Sequence, residues 1–390
     1  MSAAKWRKAM NTGASEAGAS VGWGATPAPA GQAGVAPQPT RLPLAAEPDP
    51  YADHDAPRWL KFLWRHLAPR HWLVAIALAV FPFAASPFVT FQVAAQALTL
   101  GLIALSLTFL AGYGGMVSLA QMTVAGIAGY AVAILGTSGT ELSLGWHWAV
   151  VLVFAGVIAV IASTLIGWLS VRTEGIYTIM ITLAIGVAFY YLVLQNTSVF
   201  NGFQGFQKVY PPTVFGVDWR SPVAFYFLAL ALALAGYFAV KYISRAPFGI
   251  ALQGIRDNPR RMNSLGYNVT AHRVAAYAFA GVLAAAGGIL FVWYNGLITP
   301  GSVGTSWLIN ILVIAVLGGM RHPIGPFLGA LVFVLLQTFA IDVIDRERFN
   351  LVIGGVFLAI VLFSPDGLLG LWARLKARLQ RNASASTTLR

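Results

Sequence analysis

Residues 148–169 read WAVVLVFAGVIAVIASTLIGWL, a run without one Asp, Glu, Lys or Arg. About 20 such residues, wound as a helix, cover the hydrocarbon core of a bilayer. In that medium the backbone finds no water and must close its hydrogen bonds within the segment. The run also lacks the alternation of apolar and polar residues that marks a strand of an outer-membrane barrel. It is therefore read as a transmembrane helix. Working outward, comparable apolar stretches recur from Trp72 to Phe363. The chain is 58% hydrophobic and 10% charged, with a mean hydropathy of +0.72, against about 25% charged residues in a typical soluble domain. The fold class expected is all-α, a polytopic transmembrane helical bundle.

The expected spans are Trp72–Phe88, Phe91–Ala111, Met116–Leu135, Trp148–Val171, Gly175–Leu194, Ser221–Tyr242, Val274–Tyr294, Trp307–Met320, Pro323–Ile341 and Phe349–Phe363. That makes about ten crossings by length and hydropathy. Cytoplasmic loops hold the excess of Lys and Arg. With a cytoplasmic N-terminus, Arg172, Lys241, Arg245, Arg256, Arg260, Arg261, Arg273, Arg321 and the basic residues of 366–390 fall inside, whereas Lys208, Arg220, Arg346 and Arg348 fall outside. Both termini are thus expected in the cytoplasm. The formal charge of +12 sits in these loops and tails, so it reads as a topology signal and no nucleic-acid partner is expected.

Ahead of the spans, residues 1–57 are rich in Ala, Gly, Pro and Ser, with too little large apolar surface to offset the entropy of ordering. They read as a disordered cytoplasmic tail, and no apolar stretch of a signal peptide follows the basic start. Residues 58–71 alternate Trp and Leu with Arg and Lys at helical spacing, which suits either an amphipathic helix in the headgroup layer or a lead-in to the first span. The membrane domain proper is expected at 72–365, with a cytoplasmic loop at 244–272 and a basic cytoplasmic tail at 366–390.

No Asp or Glu lies well inside any expected span. Proton-driven carriers keep a buried ionisable group at mid-membrane for that work, at a cost of a few kcal/mol. The absence counts against a stand-alone secondary carrier without removing sodium coupling through neutral ligands. No Lys follows a Gly, so there is no phosphate-cradling G-x-x-x-x-G-K-[ST] loop. The six histidines show no metal spacing, Cys is absent, and no Ser sits in a G-x-S-x-G elbow. Neither a catalytic residue, a metal site nor a cofactor is expected in this chain. Active transport would need energy from another subunit.

Small residues crowd the run AAYAFAGVLAAAGGIL, where Ala280, Ala284 and Gly288 recur every four residues and Gly281 pairs with Ala285. Such faces let helices approach closely. The run LAGYGGMVSLAQMTVAGIAGY differs: Gly112, Gly114 and Gly115 interrupt it, and Ser118 and Gln121 place polar groups among neutral ones. Broken backbone at membrane depth is tolerated where it is buried in protein or lines a wet cavity. Gly114, Gly115, Ser118 and Gln121 are therefore candidates for a translocation pathway, with simple interhelical hydrogen bonding as the alternative. A second Gly-Gly-Met occurs at Gly318–Met320.

The loop SRAPFGIALQGIRDNPRRMNSLGYNVTAHR reads as two short helices around a turn. Asn258 is a plausible N-cap with Pro259 at the first helical position, and Gly266 suits the place just past the C-terminus. Ile250, Leu252, Ile255, Met262 and Leu265 offer apolar groups, and Arg256, Arg260 and Arg261 keep the loop in water, so the segment suits docking of a cytoplasmic partner.

Four blocks, GYGGMVSLAQ from Gly112, RTEGIYTIMITLA from Arg172, GIRDNPRRMNSLGYNVTAHR from Gly254 and VLGGMRHPIGPFLGA from Val316, stand in an order that resembles the permeases of ABC importers for branched-chain amino acids, in particular the LivM-like branch. The resemblance runs from about Leu98 to Gly370. It implies a bacterial inner-membrane protein paired with a second, LivH-like permease subunit. It also implies a periplasmic substrate-binding protein and two cytoplasmic ATPase subunits, LivG/LivF-like, which bind the ATP and Mg. The coupling contact would then involve Gly254, Ile255, Arg256, Asp257, Arg260, Leu265 and Gly266. Two departures are visible: family members often carry an acidic, alanine-rich stretch where Pro259, Arg260, Arg261 and Met262 follow here, and the N-terminal tail is additional. Related permeases also carry urea, short amides and other amino acids, so these remain alternatives for the solute.

Overall fold

A computed structural model of the chain describes residues 78–339, apart from 174, 214, 215 and 217, together with 354, 355, 358 and 367–370. The expected N-terminal tail, the juxtamembrane segment, most of the last span and the basic C-terminal tail lie outside the described residues. What is described is helical but for loops and one small ladder. Five helices are long and apolar enough to cross a membrane: α1 (Val89–Tyr113), α3 (Trp148–Ser170), α4 (Ile176–Gln195), α5 (Pro222–Arg245) and α8 (Val269–Asn295). Three shorter apolar helices accompany them: α2 (Gln121–Leu135), α9 (Thr305–Gly318) and α10 (Gly325–Phe339). Between α5 and α8 lie α6 (Pro247–Asp257) and α7 (Pro259–Ser264).

Burial orders these helices. Nearly all of α1 is buried; it packs against α8, α9, α10 and α5. A helix apolar on every side has no polar face to turn to water, so neighbours must enclose it. α3 and α4 instead present most of their apolar surface outward, with Val153, Ile161, Leu165, Ile176 and Met180 more than half exposed. The α1 ladder is irregular: Val89–Ala95 and Phe109–Tyr113 are wound as π-helix around a regular Gln96–Thr108.

The small-residue face of α8 is a packing surface. A Cβ on Gly281 would stand 2.5 Å from the Ser163 Cβ of α3, and one on Gly287 would stand 2.5 Å from Ile103 Cγ1 of α1. Gly288 lies against the backbone of Ala125 in α2. The Ser163 hydroxyl donates across the α3–α8 contact to the Tyr277 carbonyl at 2.7 Å. Close approach without a Cβ adds dispersion contacts between helices that have no hydrophobic drive to associate in lipid. The second Gly-Gly-Met serves the same end, since Gly318 and Gly329 bring the α9 and α10 backbones together.

One expected span needs correction. The run from Met116 to Leu135 becomes helical only at Gln121. Helix α1 ends at Tyr113, Gly115 turns into the left-handed region at φ 67°, and residues 115–120 descend without helix. The unwound backbone is satisfied locally: Gly115 N–H donates to the Ala111 carbonyl at 3.2 Å and Met116 N–H to the Leu110 carbonyl at 3.0 Å. Leu119 N–H donates to the Thr182 hydroxyl of α4 at 3.1 Å. Those bonds make a break tolerable away from water.

At the opposite end of the bundle the loops after α2, α4 and α8 are tied together. Strand β1 (Phe206–Gln207) pairs antiparallel with β2 (Leu297–Ile298), Phe206 opposite Ile298. Gly139 N–H adds a bond to the Gln207 carbonyl at 2.8 Å.

Candidate functional site

The site is built from the α6–α7 hairpin upward. Pro247 starts α6, where a missing N–H costs nothing. Asn258 ends it and begins α7: its side-chain oxygen accepts from Arg261 N–H at 2.9 Å, with Pro259 next in line. The hairpin closes on Gly266, at φ 87°. Gly266 N–H donates to the Asn263 carbonyl at 3.0 Å and Tyr267 N–H to the Met262 carbonyl at 3.1 Å, the paired bonds of a Schellman C-cap. Asn268 then caps α8 through Ala271 N–H at 2.9 Å. A Cβ on Gly254 would sit 2.8 Å from Met262 Sδ, so the two arms pack through that thioether. Caps at both ends make an ordered unit of a short polar stretch.

The hairpin has an inner and an outer face, and the seven residues expected to act together divide between them. Ile255 is fully buried, as is its neighbour Leu252. Arg256 reaches inward: its Nη1 donates to the Gly112 carbonyl at 2.6 Å. Its Nε donates to Asp257 Oδ1 at 2.9 Å, and Nη2 lies 2.9 Å from the same oxygen. The acceptor is one of the last carbonyls of α1, which the helix itself leaves without a donor. Arg260, Leu265 and Gly266 face out. Arg260 and Gly266 border an open cleft of about 560 Å³ shaped also by Pro259, Asn263, Tyr267 and Asn268. Gly254 lies between the arms.

Two of the residues considered for a pathway therefore belong to the hairpin contact. Gly115 leaves the space that the Arg256 stem fills, since a Cβ there would fall 2.6 Å from Arg256 Cγ. Gly114 lies against Leu252 and Met116. The neighbouring Gly112 abuts the Met320 carbonyl of the second Gly-Gly-Met. Three separated sequence blocks meet here. Met320 is not among the residues expected at the site, the repeated Gly-Gly-Met being its one trace, whereas Leu252, expected to offer an apolar group to a partner, is buried against Gly114 instead.

Ser118 and Gln121 are buried within the bundle. The Ser106 hydroxyl of α1 donates to Gln121 Oε1 at 3.0 Å, while Gln121 Nε2 has no hydrogen-bond partner. Ala120 N–H donates to Ser118 Oγ at 3.3 Å. A small cavity of about 40 Å³ lies beside this segment, bordered by Gly115, Met116, Ser170, Thr173 and Arg273, large enough for a water molecule.

Beside the same end of the bundle, His322 follows Met320 and Arg321 in the α9–α10 turn and accepts from Ile324 N–H through Nδ1 at 3.3 Å. Burial, reinforced by the Lys241 ammonium, holds its imidazole below the ordinary value of 6.5. The ring is neutral at neutral pH.

Against known families, residues 89–361 match the model of a family described as branched-chain amino acid transport system / permease component. The chain is 27% identical over 320 residues to the high-affinity branched-chain amino acid transport system permease protein LivM of Salmonella typhimurium, covering 76% of this chain and 73% of the relative. It is 26% identical over 335 residues to LivM of Escherichia coli, covering 80% and 76%. The permease protein BraD of Pseudomonas aeruginosa is 30% identical over 129 residues, 33% of this chain and 42% of that one. No solved structure matches.

Proposed function

This chain belongs to the family of branched-chain amino acid transport permease components, and from that premise we propose that it forms one half of the membrane passage of an ABC importer for branched-chain amino acids. A second permease of similar fold completes the passage, a binding protein delivers the solute from outside, and two ATPase subunits dock on the α6–α7 hairpin from the cytoplasm. Both termini lie on that side, about ten spans cross the bacterial inner membrane, and ATP and Mg are bound by the ATPases alone.

The observation that carries the reading is the division of the hairpin, within a chain matched to LivM over most of its length. Its outer face offers exposed Arg260, Leu265 and Tyr267 to a partner, while its inner face grips α1 through Arg256. A push on such a rigid element reaches the spans rather than being lost in a slack loop. The solute is small and neutral overall as a zwitterion, which suits a bundle without acids in its described spans.

The test is reconstitution. Vesicles holding this chain, its partner permease and both ATPases, with the binding protein and leucine outside, should accumulate leucine only when ATP is supplied on the ATPase side. Accumulation by this chain alone would refute the reading, and uptake of urea but not leucine would reassign the solute.

A further inference from the structure

We propose that Arg256 is a positioning residue of the transport cycle: it points away from any docking partner and latches the hairpin to the last turn of α1 and the start of the unwound segment after it, so that hairpin movement is passed to residues 112–120. The proposal rests on the importer reading above, and it reverses the role that sequence alone assigns to this residue.

Four observations carry it. The guanidinium donates inward to the Gly112 carbonyl at 2.6 Å, 144 positions away in the chain. Its other edge is held by Asp257, which aims the planar fork; a lysine ammonium has no such fork to be held at two points. Gly115 stands at φ 67° and leaves room for the arginine stem that no other residue would leave. Leu252, one turn earlier on α6, is fully buried and faces Gly114. The hairpin thus meets this corner with an apolar contact and a charge-assisted bond side by side.

The receiving corner joins the last turn of α1, which holds Gly112, to a segment whose backbone has left the helix. Segment 115–120 lacks the helical ladder that would resist rotation, and it leads into α2 and the buried Gln121. Two packed states differing by a small turn are more accessible to such a segment than to a continuous helix. The bond is also partly open to solvent, with the Arg256 side chain 39% exposed, so it can be broken and remade within a cycle without burying a bare charge.

The experiment compares the wild type with Arg256→Gln and Arg256→Lys. In the chain reconstituted in lipid, amide hydrogen exchange at Gly115 and Met116 should rise about tenfold in Arg256→Gln, since opening of the corner becomes easier. The rise should be smaller in Arg256→Lys, which keeps the charge and one donor. In the full importer, both ATPases should co-purify with either variant and hydrolyse ATP at the wild-type rate, while leucine taken up per ATP falls about fivefold in Arg256→Gln, a loss of coupling between sites. The proposal is overturned if exchange and uptake per ATP are unchanged, or if Arg256→Gln releases the ATPases with exchange unaltered, which would make Arg256 a docking residue. Failure of the importer reading would look different: the wild type would accumulate leucine without ATPases, and the exchange comparison would still decide the latch.

Discussion

Gly115 and His322 act at the scale of single residues. Gly115 adopts a backbone conformation that costs an ordinary residue about 1–2 kcal/mol, and its missing side chain leaves the space into which Arg256 folds. Nothing in GYGGM distinguishes that glycine from its neighbours, which serve other contacts. His322 couples the same end of the molecule to pH. Its value in the fold lies below 6.5 while the unfolded chain keeps the ordinary one, so the unfolded state binds its proton first. The contribution of this neutral ring is complete above that ordinary value and is lost as pH falls through the folded one. Thermal unfolding in detergent, followed from neutral pH down to about 5, should show a decline that is shallower in His322→Gln than in the wild type. Identical slopes would mean that the ring is not held neutral by its surroundings.

At the scale of elements, the decisive feature is the place where α1 stops and α2 starts. Hydropathy runs on unbroken through Met116–Ala120, because the residues there are as apolar as those of a helix, and the expected span accordingly began too early. What ends the helix is geometry: Gly115 reverses the chain, and Thr182 of α4 supplies an acceptor that the helix would not need. Gln121 opens α2 and bonds to Ser106 through its oxygen only. Removing this amide leaves no buried group unpaired, because the Ser106 hydroxyl also donates to the Ile103 carbonyl at 2.6 Å, and it takes away the unpartnered Nε2, so the net cost is small, within about 1 kcal/mol. Gln121→Met should therefore leave the unfolding temperature unchanged or raise it if the side chain only joins helices. Should Gln121 instead touch the solute during passage, leucine uptake would fall sharply at unchanged stability, and the two measurements together separate the roles.

For the whole molecule, topology can be tested directly. A phosphatase that is active only outside the cytoplasm should be inactive when fused after Gly266 or Arg390 and active after Lys208. Activity at Gly266 would invert the orientation and remove the hairpin from the ATPases. Membrane residence, helical class, the α3, α4 and α5 spans and the capped hairpin were all legible in the chain itself. They depend on local causes: the length of apolar runs, small residues at four-residue spacing, and caps such as Asn258 and Gly266 whose geometry involves only near neighbours. The burial of α1, the break before Gln121, the ladder joining Phe206 to Ile298 and the inward reach of Arg256 came only from tertiary structure. Each depends on groups far apart in sequence meeting in space, and the basic side chain that binds the Gly112 carbonyl reads, in a one-dimensional pattern, like one that faces water.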